Sequence, residues 1–374
     1  MSRTLNLYEQ ARKADSGFSM PATLRKKRIS FILPKVSYEG VAKVGLMQAN
    51  FLKTGYCHQV EVISLIKEKQ RFEELLANLR VKYVFPISVL SRSCYTIFAK
   101  FMKPNSDLTL AHNIPATVVA NGIFRKHKIP YIAYIHDATF DKIPGSFPSF
   151  EYDRIKQSLS SSAFILTNSM KTLKELDERY KIQGFPLHPG CFPVDQVNDR
   201  RRDFFLFVHF ISPRASFMFL KRLLEKERFN LVIAGGRRWG WQKVFHAFGS
   251  LGNRVKFIFE PTENELSVLY QRARGLIFPE LENFGLSPLE AAACGCPSIV
   301  AEGSGVLEIL EQGKGIIVRK EGDLEGFVEA LRTLTEDEKY ARELGKEAWN
   351  TAQKHSWNLH VSKLAQIIET LGKD

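Results

Sequence analysis

Short apolar runs alternate with longer stretches of helical spacing along most of the chain. KRISFILP (27–34) is followed by SYEGVAKVGLMQANFLKTG (37–55), whose apolar residues recur at helical intervals up to Gly55. The runs HQVEVISL, VKYVFPIS, SDLTLAHN and PYIAYIHD are β-branched or aromatic, and they read as strands. PATVVANGIFRKHK, between the last two, reads as a helix, and SSAFILTNSMKTLKELDERY adds another strand and helix. GFPLHPGCFPVDQ (184–196) interrupts this pattern with Pro and Gly and suits a linker. Beyond it the pattern restarts, with strands predicted in DFFLFVHF, FNLVIAGG, VKFIFE, ARGLIFPE, PSIVAEG and KGIIVRK and helices in ENELSVLYQRA and SPLEAAACG.

Strand and helix alternating in this way predict parallel sheets covered by helices on both faces. The fold class expected is therefore α/β, with two doubly wound, Rossmann-like domains facing each other across a cleft. Ligands of such sheets bind beyond the carboxyl ends of the strands. The boundaries expected are 1–193 for the first domain, 194–350 for the second, and 351–374 for a terminal helix returning to the first.

Length and composition agree: 374 residues exceed what one growing core accommodates, and 44% hydrophobic with 25% charged residues is ordinary globular composition. Cys57, Cys94, Cys191, Cys294 and Cys296 are too few and too scattered for a disulfide framework, and the single C-x-C lacks the second pair a structural zinc needs. The N-terminus carries no apolar core of a secretory signal, and no stretch approaches a spanning helix. A cytoplasmic protein, peripheral at a membrane at most, is the expectation.

Charge changes the picture. Residues 1–193 hold 28 Lys and Arg against 15 Asp and Glu, while 194–374 hold 25 of each, so the whole net charge of +13 lies in the first half. That half is expected to meet an anionic partner. LRKKR (24–28) and FRKHK (124–128) concentrate the charge, with Phe101, Met102 and Phe124 as apolar anchors, and an anionic membrane surface carrying the acceptor is the partner expected. Nucleic acid is not expected, because no helix-turn-helix, RNA-recognition or zinc pattern accompanies the charge.

Candidate chemistry concentrates in ELENFGLSPLEAAACGCPSIV (280–300). Ser287 as N-cap, Pro288 at the first helical position and Glu290 three residues after the cap form a helix start with a capping box, which Gly295 and Pro297 stop. Glu282, Asn283, Phe284 and Gly285 directly follow a predicted strand, and backbone N–H groups at the helix start favour an anion.

This segment resembles the E-x7-E signature of retaining GT-B glycosyltransferases, most closely family 4. Glu282, Phe284, Gly285, Leu286, Glu290, Ala291, Gly295 and Pro297 carry the match. GSGVLEIL resembles the family's glycine-rich segment, and HSWNLHVSKLAQIIETL its terminal helix. The resemblance implies that Glu290 binds the ribose of a nucleotide-sugar, that Glu282 contacts the transferred sugar, and that backbone near Gly285, Leu286 and Ser287 holds the diphosphate. In the first half it implies that His136 approaches the sugar and that Gly40 faces the phosphates.

It also implies an arginine and a lysine at positions where this chain has Phe210 and Ala215. Arg214, one position from the expected lysine, and Arg237 beside Gly235 are the candidate substitutes, with Arg238 next to them. The activity implied is retaining transfer of a sugar from a nucleotide-sugar to a glycan or lipid-linked acceptor hydroxyl by front-face attack, without metal or other cofactor. The alternatives are a GT-B protein that binds donor or glycan without transferring, motivated by Phe210 and Ala215, and a nucleic-acid-binding protein.

Overall fold

The computed structural model describes residues 25–37, 39–67, 73–85, 102–138, 149–197 and 204–371. Leu24, Cys94 and Phe101 lie outside them. Two compact units emerge, one from residues 1–190 with 357–374, the other from 191–356, so the chain returns to the first unit at Trp357.

The first unit holds a seven-stranded sheet in the order β3-β2-β1-β4-β5-β6-β7. Its strands are β1 (Arg28–Lys35), β2 (Gln59–Ile66), β3 (Arg80–Phe85), β4 (Leu108–His112), β5 (Tyr131–Ile135), β6 (Phe164–Thr167) and β7 (Phe185–Pro186). All neighbours pair in parallel. β7 falls inside the stretch expected as a linker: Leu187 N donates to Thr167 O at 2.8 Å, which ties that segment to the edge of the sheet.

The second unit repeats the plan in the order β10-β9-β8-β11-β12-β14-β13. Here β8 is Phe205–Val208, β9 Leu231–Gly235, β10 Val255–Phe259, β11 Gly275–Phe278, β12 Ser298–Ala301, β13 Glu311–Gln312 and β14 Gly315–Arg319. The near-continuous apolar strands follow from burial on both faces. Leu206, Ala234, Leu276, Phe278, Val300 and Ile316 join one buried cluster, and Phe205, Phe207, Ile233, Ile277, Ile299 and Ile317 join the other. Successive side chains of a strand point to opposite faces, so such a run fills both cores at once.

In both sheets the order reverses beside the first strand, between β1 and β4 and between β8 and β11. Such a reversal leaves a crevice at the carboxyl ends of those two strands. The chemistry of the second unit gathers at its crevice.

Candidate active site

β8 ends at Val208 and β11 at Phe278, and the loops that follow them meet. His209 Nε2 lies 3.0 Å from Glu282 Oε1 and 3.4 Å from Glu280 Oε2. Arg214 Nη1 bonds Glu280 Oε2 at 2.9 Å and lies 2.9 Å from His209 Nδ1 and 2.6 Å from His209 Nε2. Arg214 occupies the N-cap of the helix Ala215–Lys226, which takes no side-chain cap. This puts its guanidinium at the crevice and Ala215, where the lysine was expected, at the helix start. His209, Glu280 and Glu282 could together offer ligands to a metal ion, but the Arg214 guanidinium already supplies positive charge among them.

The signature loop is pinned from beneath. Gly305 N donates to Glu282 O at 3.1 Å, Val306 N to Phe284 O at 2.6 Å, and Ser304 Oγ to Glu280 O at 3.1 Å. A Cβ on Gly305 would stand 1.9 Å from Asn283 O, so only glycine lets these loops touch. Phe284 is buried in the core, and its ring anchors the loop there.

The helix itself starts earlier than expected. It runs Leu286–Ala293, with Gly285 at the N-cap at φ 95°, and no side chain caps it. The expected capping box is absent, because both of its members are drawn elsewhere by the fold. Ser287 Oγ donates to Val208 O at the end of β8 at 3.2 Å, and Glu290 Oε2 accepts from the Tyr270 hydroxyl at 3.1 Å. Pro288 is the third helical residue, where its missing N–H still costs nothing. The N–H groups of Leu286 and Ser287 open the helix without intrahelical partners, as an anion site requires. Tyr270 is fully buried, and burial, followed by the Glu290 charge, pushes its hydroxyl well above the usual range. It therefore remains a neutral donor that orients Glu290.

The loop after β9 supplies the other cations. Ile211 N donates to Gly236 O at 2.9 Å and Arg238 N to Ile211 O at 3.1 Å, so the loops after β8 and β9 are stitched together. A Cβ at Gly235 would lie 1.9 Å from His209 O, so the glycine permits this approach. Arg237 turns to Glu260 at 3.3 Å and toward the rings of Trp241 and Phe259. Arg238 instead lies over Phe210, 3.8 Å from the ring centre, and desolvation lowers its pKa. Thus a guanidinium does stand at Phe210, brought by the neighbouring loop.

In the first unit, Gly40 opens the helix Gly40–Thr54 at the carboxyl end of β1. His136 follows β5 and is buried, its Nε2 3.0 Å from His112 Nδ1. Asn113 Oδ1 accepts from the backbone N–H groups of His136 and Asp137 at 2.9 and 3.1 Å, which fixes the turn. His360 donates through Nδ1 to His188 O at 2.7 Å, leaving Nε2 to accept from the Gln48 amide at 2.9 Å. Burial foremost holds all three imidazoles neutral: His136 is lowered to about 3, His360 to about 4, and His112 well below the usual range.

The basic segments are partly spoken for. Arg28 pairs with Asp107 at 2.6 Å, and Lys27 Nζ donates to Ile368 O at 2.7 Å. Met102 and Phe124, expected as apolar anchors, are partly buried and pack against a cluster of this unit. Among the described residues, Cys57, Cys191, Cys294 and Cys296 form no disulfide.

Comparison with known proteins agrees with the architecture. Residues 195–351 match the family model described as Glycosyl transferases group 1. The O-antigen chain mannosyltransferase RfbU of Salmonella typhimurium is 27% identical over 203 residues, covering 50% of this chain and 57% of that protein. An uncharacterized glycosyltransferase of Methanocaldococcus jannaschii is 22% identical over 268 residues, 71% of this chain and 76% of its relative. The chain thus spans little more than half the length of the first of these relatives. Among solved structures, Anabaena HepE in complex with UDP and glucose superposes with TM-score 0.73 at 16% identity, covering 92% of this chain and all of that one. Sucrose-phosphate synthase from Thermosynechococcus elongatus gives TM-score 0.75 at 17% identity, covering 93% and 99%.

Two seven-stranded parallel units with this crevice define the GT-B class. The chain has the GT-B fold, and residues 195–351 in its second unit match the group 1 glycosyltransferase family.

Proposed function

We propose that the protein transfers a glycosyl group from a nucleotide-sugar to an acceptor hydroxyl with retention at the anomeric carbon. The observation that carries this reading is the crevice of the second unit, where Glu282, Arg214 and the start of the helix Leu286–Ala293 converge. Glu290, oriented by Tyr270, holds the ribose hydroxyls; Glu282 holds hydroxyls of the sugar. The N–H groups of Leu286 and Ser287, with Arg214 and Arg238, take the diphosphate. Those cations stabilise the charge that develops as the bond from the anomeric carbon to phosphate breaks, which is the step needing most electrostatic help. The acceptor oxygen forms its bond on the same face, and its proton passes to the leaving phosphate. In this reading the two arginines serve where a metal ion would otherwise serve. His136 and Gly40 are the first unit's candidates for the sugar and the phosphates.

That a solved GT-B neighbour holds UDP and glucose supports a nucleotide-sugar donor. For the acceptor we favour a lipid-linked or otherwise anionic glycan, because the excess positive charge lies in the first half. No helix among the described residues is long and apolar enough to cross a membrane, so any attachment in this reading is peripheral.

A thermal-shift screen against nucleotides and nucleotide-sugars tests the donor, since a ligand bound only by the native state raises its stability. Transfer of a labelled sugar from the best donor, with and without EDTA, then tests the reaction, and NMR of the product reads the anomeric configuration. Binding without transfer or hydrolysis would leave a binding protein; no binding to any nucleotide-sugar overturns the reading. Co-sedimentation with anionic and neutral vesicles tests the surface. Binding is expected to require anionic lipid and to weaken with salt, and equal binding to both kinds overturns the membrane idea.

A further inference from the structure

We infer that His209 is a positioning residue for the transfer site, joining Glu282 to Arg214 and setting the place of both. This rests on the roles proposed above for those two residues.

The imidazole is itself held from several sides. His209 N donates to Ala234 O at 3.1 Å, and its carbonyl stands where a Cβ of Gly235 would be. The ring stacks on Phe207 at 6.1 Å with an interplanar angle of 15°, and meets the edge of Phe210 at 5.8 Å. Only 12% of the side chain is exposed, so rotation away from Glu282 would need the aromatic packing to open.

The imidazole touches both neighbours. Nε2 lies 3.0 Å from Glu282 Oε1, while Arg214 Nη1 stands 2.9 Å from Nδ1 and 2.6 Å from Nε2. The guanidinium thus lies against the ring itself, and the carboxylate meets the ring at Nε2. Glu280 Oε2 takes Arg214 Nη1 from its own side at 2.9 Å, so the guanidinium is gripped by the carboxylate and the imidazole together. A loose carboxylate or guanidinium at a transfer site lowers turnover more than binding, because orientation is what the transition state demands.

The test uses the full chain and three variants. His209→Phe keeps the ring and removes both nitrogens, while His209→Gln keeps one donor and one acceptor. With a donor that the wild type turns over, H209F is expected to lose at least about 10-fold in kcat with a smaller change in donor KM, and H209Q to recover most of it. Unchanged kcat in H209F, or equal loss in H209Q and H209F with intact melting temperatures, overturns the inference. Activity that depends on a divalent cation and vanishes with EDTA would make His209 a metal ligand instead and also overturns it. A second readout needs no turnover: nitrogen-15 NMR of histidine-labelled protein, with H209F giving the assignment. The ring signals are expected to shift in E282Q. Signals insensitive to E282Q refute the link even if the chain proves to transfer no sugar.

Discussion

The Arg238 guanidinium lies 3.8 Å from the centre of the Phe210 ring. Phe210 stands where the resemblance leads one to expect an arginine, and the strand next door returns the charge. Stacking on an aromatic face suits guanidinium better than ammonium, so the pair restores a cation without restoring the residue.

If Arg214 and Arg238 neutralise the leaving diphosphate, Arg214→Ala and Arg238→Ala should each lower kcat/KM at least ~10-fold, about 1.4 kcal/mol of barrier. Phe210→Ala should lower it less, by loosening Arg238. Arg237→Ala should have the smallest effect, because Arg237 is turned to Glu260. Steady-state kinetics with the identified donor checks the ranking, and an Arg237 effect as large as that of Arg238 would move the phosphate site.

The two signature carboxylates should separate in kinetics. Glu290→Gln is expected mainly to raise donor KM, and Tyr270→Phe to do so more weakly, since Tyr270 orients Glu290 through a single bond of 3.1 Å. Glu282→Gln should mainly lower kcat. Wild-type kinetics in both carboxylate variants would remove them from the site.

Two glycines should resist substitution for reasons of space. Gly235→Ala and Gly305→Ala each drive a methyl to 1.9 Å from a carbonyl oxygen, of His209 and Asn283 respectively. Overpacking of this kind costs roughly 1–3 kcal/mol, and denaturant unfolding should show it. Gly313→Ala meets no neighbour, but its φ of 75° predicts a milder strain cost. Equal stability of all three variants would contradict the close approaches.

The buried histidines predict acid sensitivity of the first unit. His136 is lowered to about 3 and His360 to about 4, chiefly by burial, from an ordinary value of 6.5. The unfolded chain binds these protons where the folded chain refuses them. Stability is therefore complete above about pH 6.5 and falls as pH drops toward 4, by up to ~1.4 kcal/mol per pH unit for each histidine. Melting temperatures measured across that window should decline, and His360→Gln should flatten the slope. A slope unchanged by the substitution would mean that other groups govern the acid limb.

Periodicity alone determined that the chain builds two doubly wound units, because runs such as FLFV and LVIAG must bury both faces and only helices on each side of a parallel sheet allow that. The residues ENFGLSPLE likewise marked the loop and helix of the candidate site, since their glycine and helix-start signals are local. Ser287 shows where local reading stops. Its hydroxyl could cap a helix, but β8 offers it Val208 O, and the helix starts at Leu286 behind a left-handed Gly285. His209 and Glu280 carried no local signal beyond a polar residue after a strand, although 73 positions separate His209 from the Glu282 it touches. Arg238 was visible beside Arg237, yet which of them faces Phe210 depends on the pairing of Ile211 with the β9 loop. These relationships required the strand order, in which β11 lies beside β8, and that order is set by how helices and sheet pack, a contest among distant contacts that no window of neighbouring residues contains.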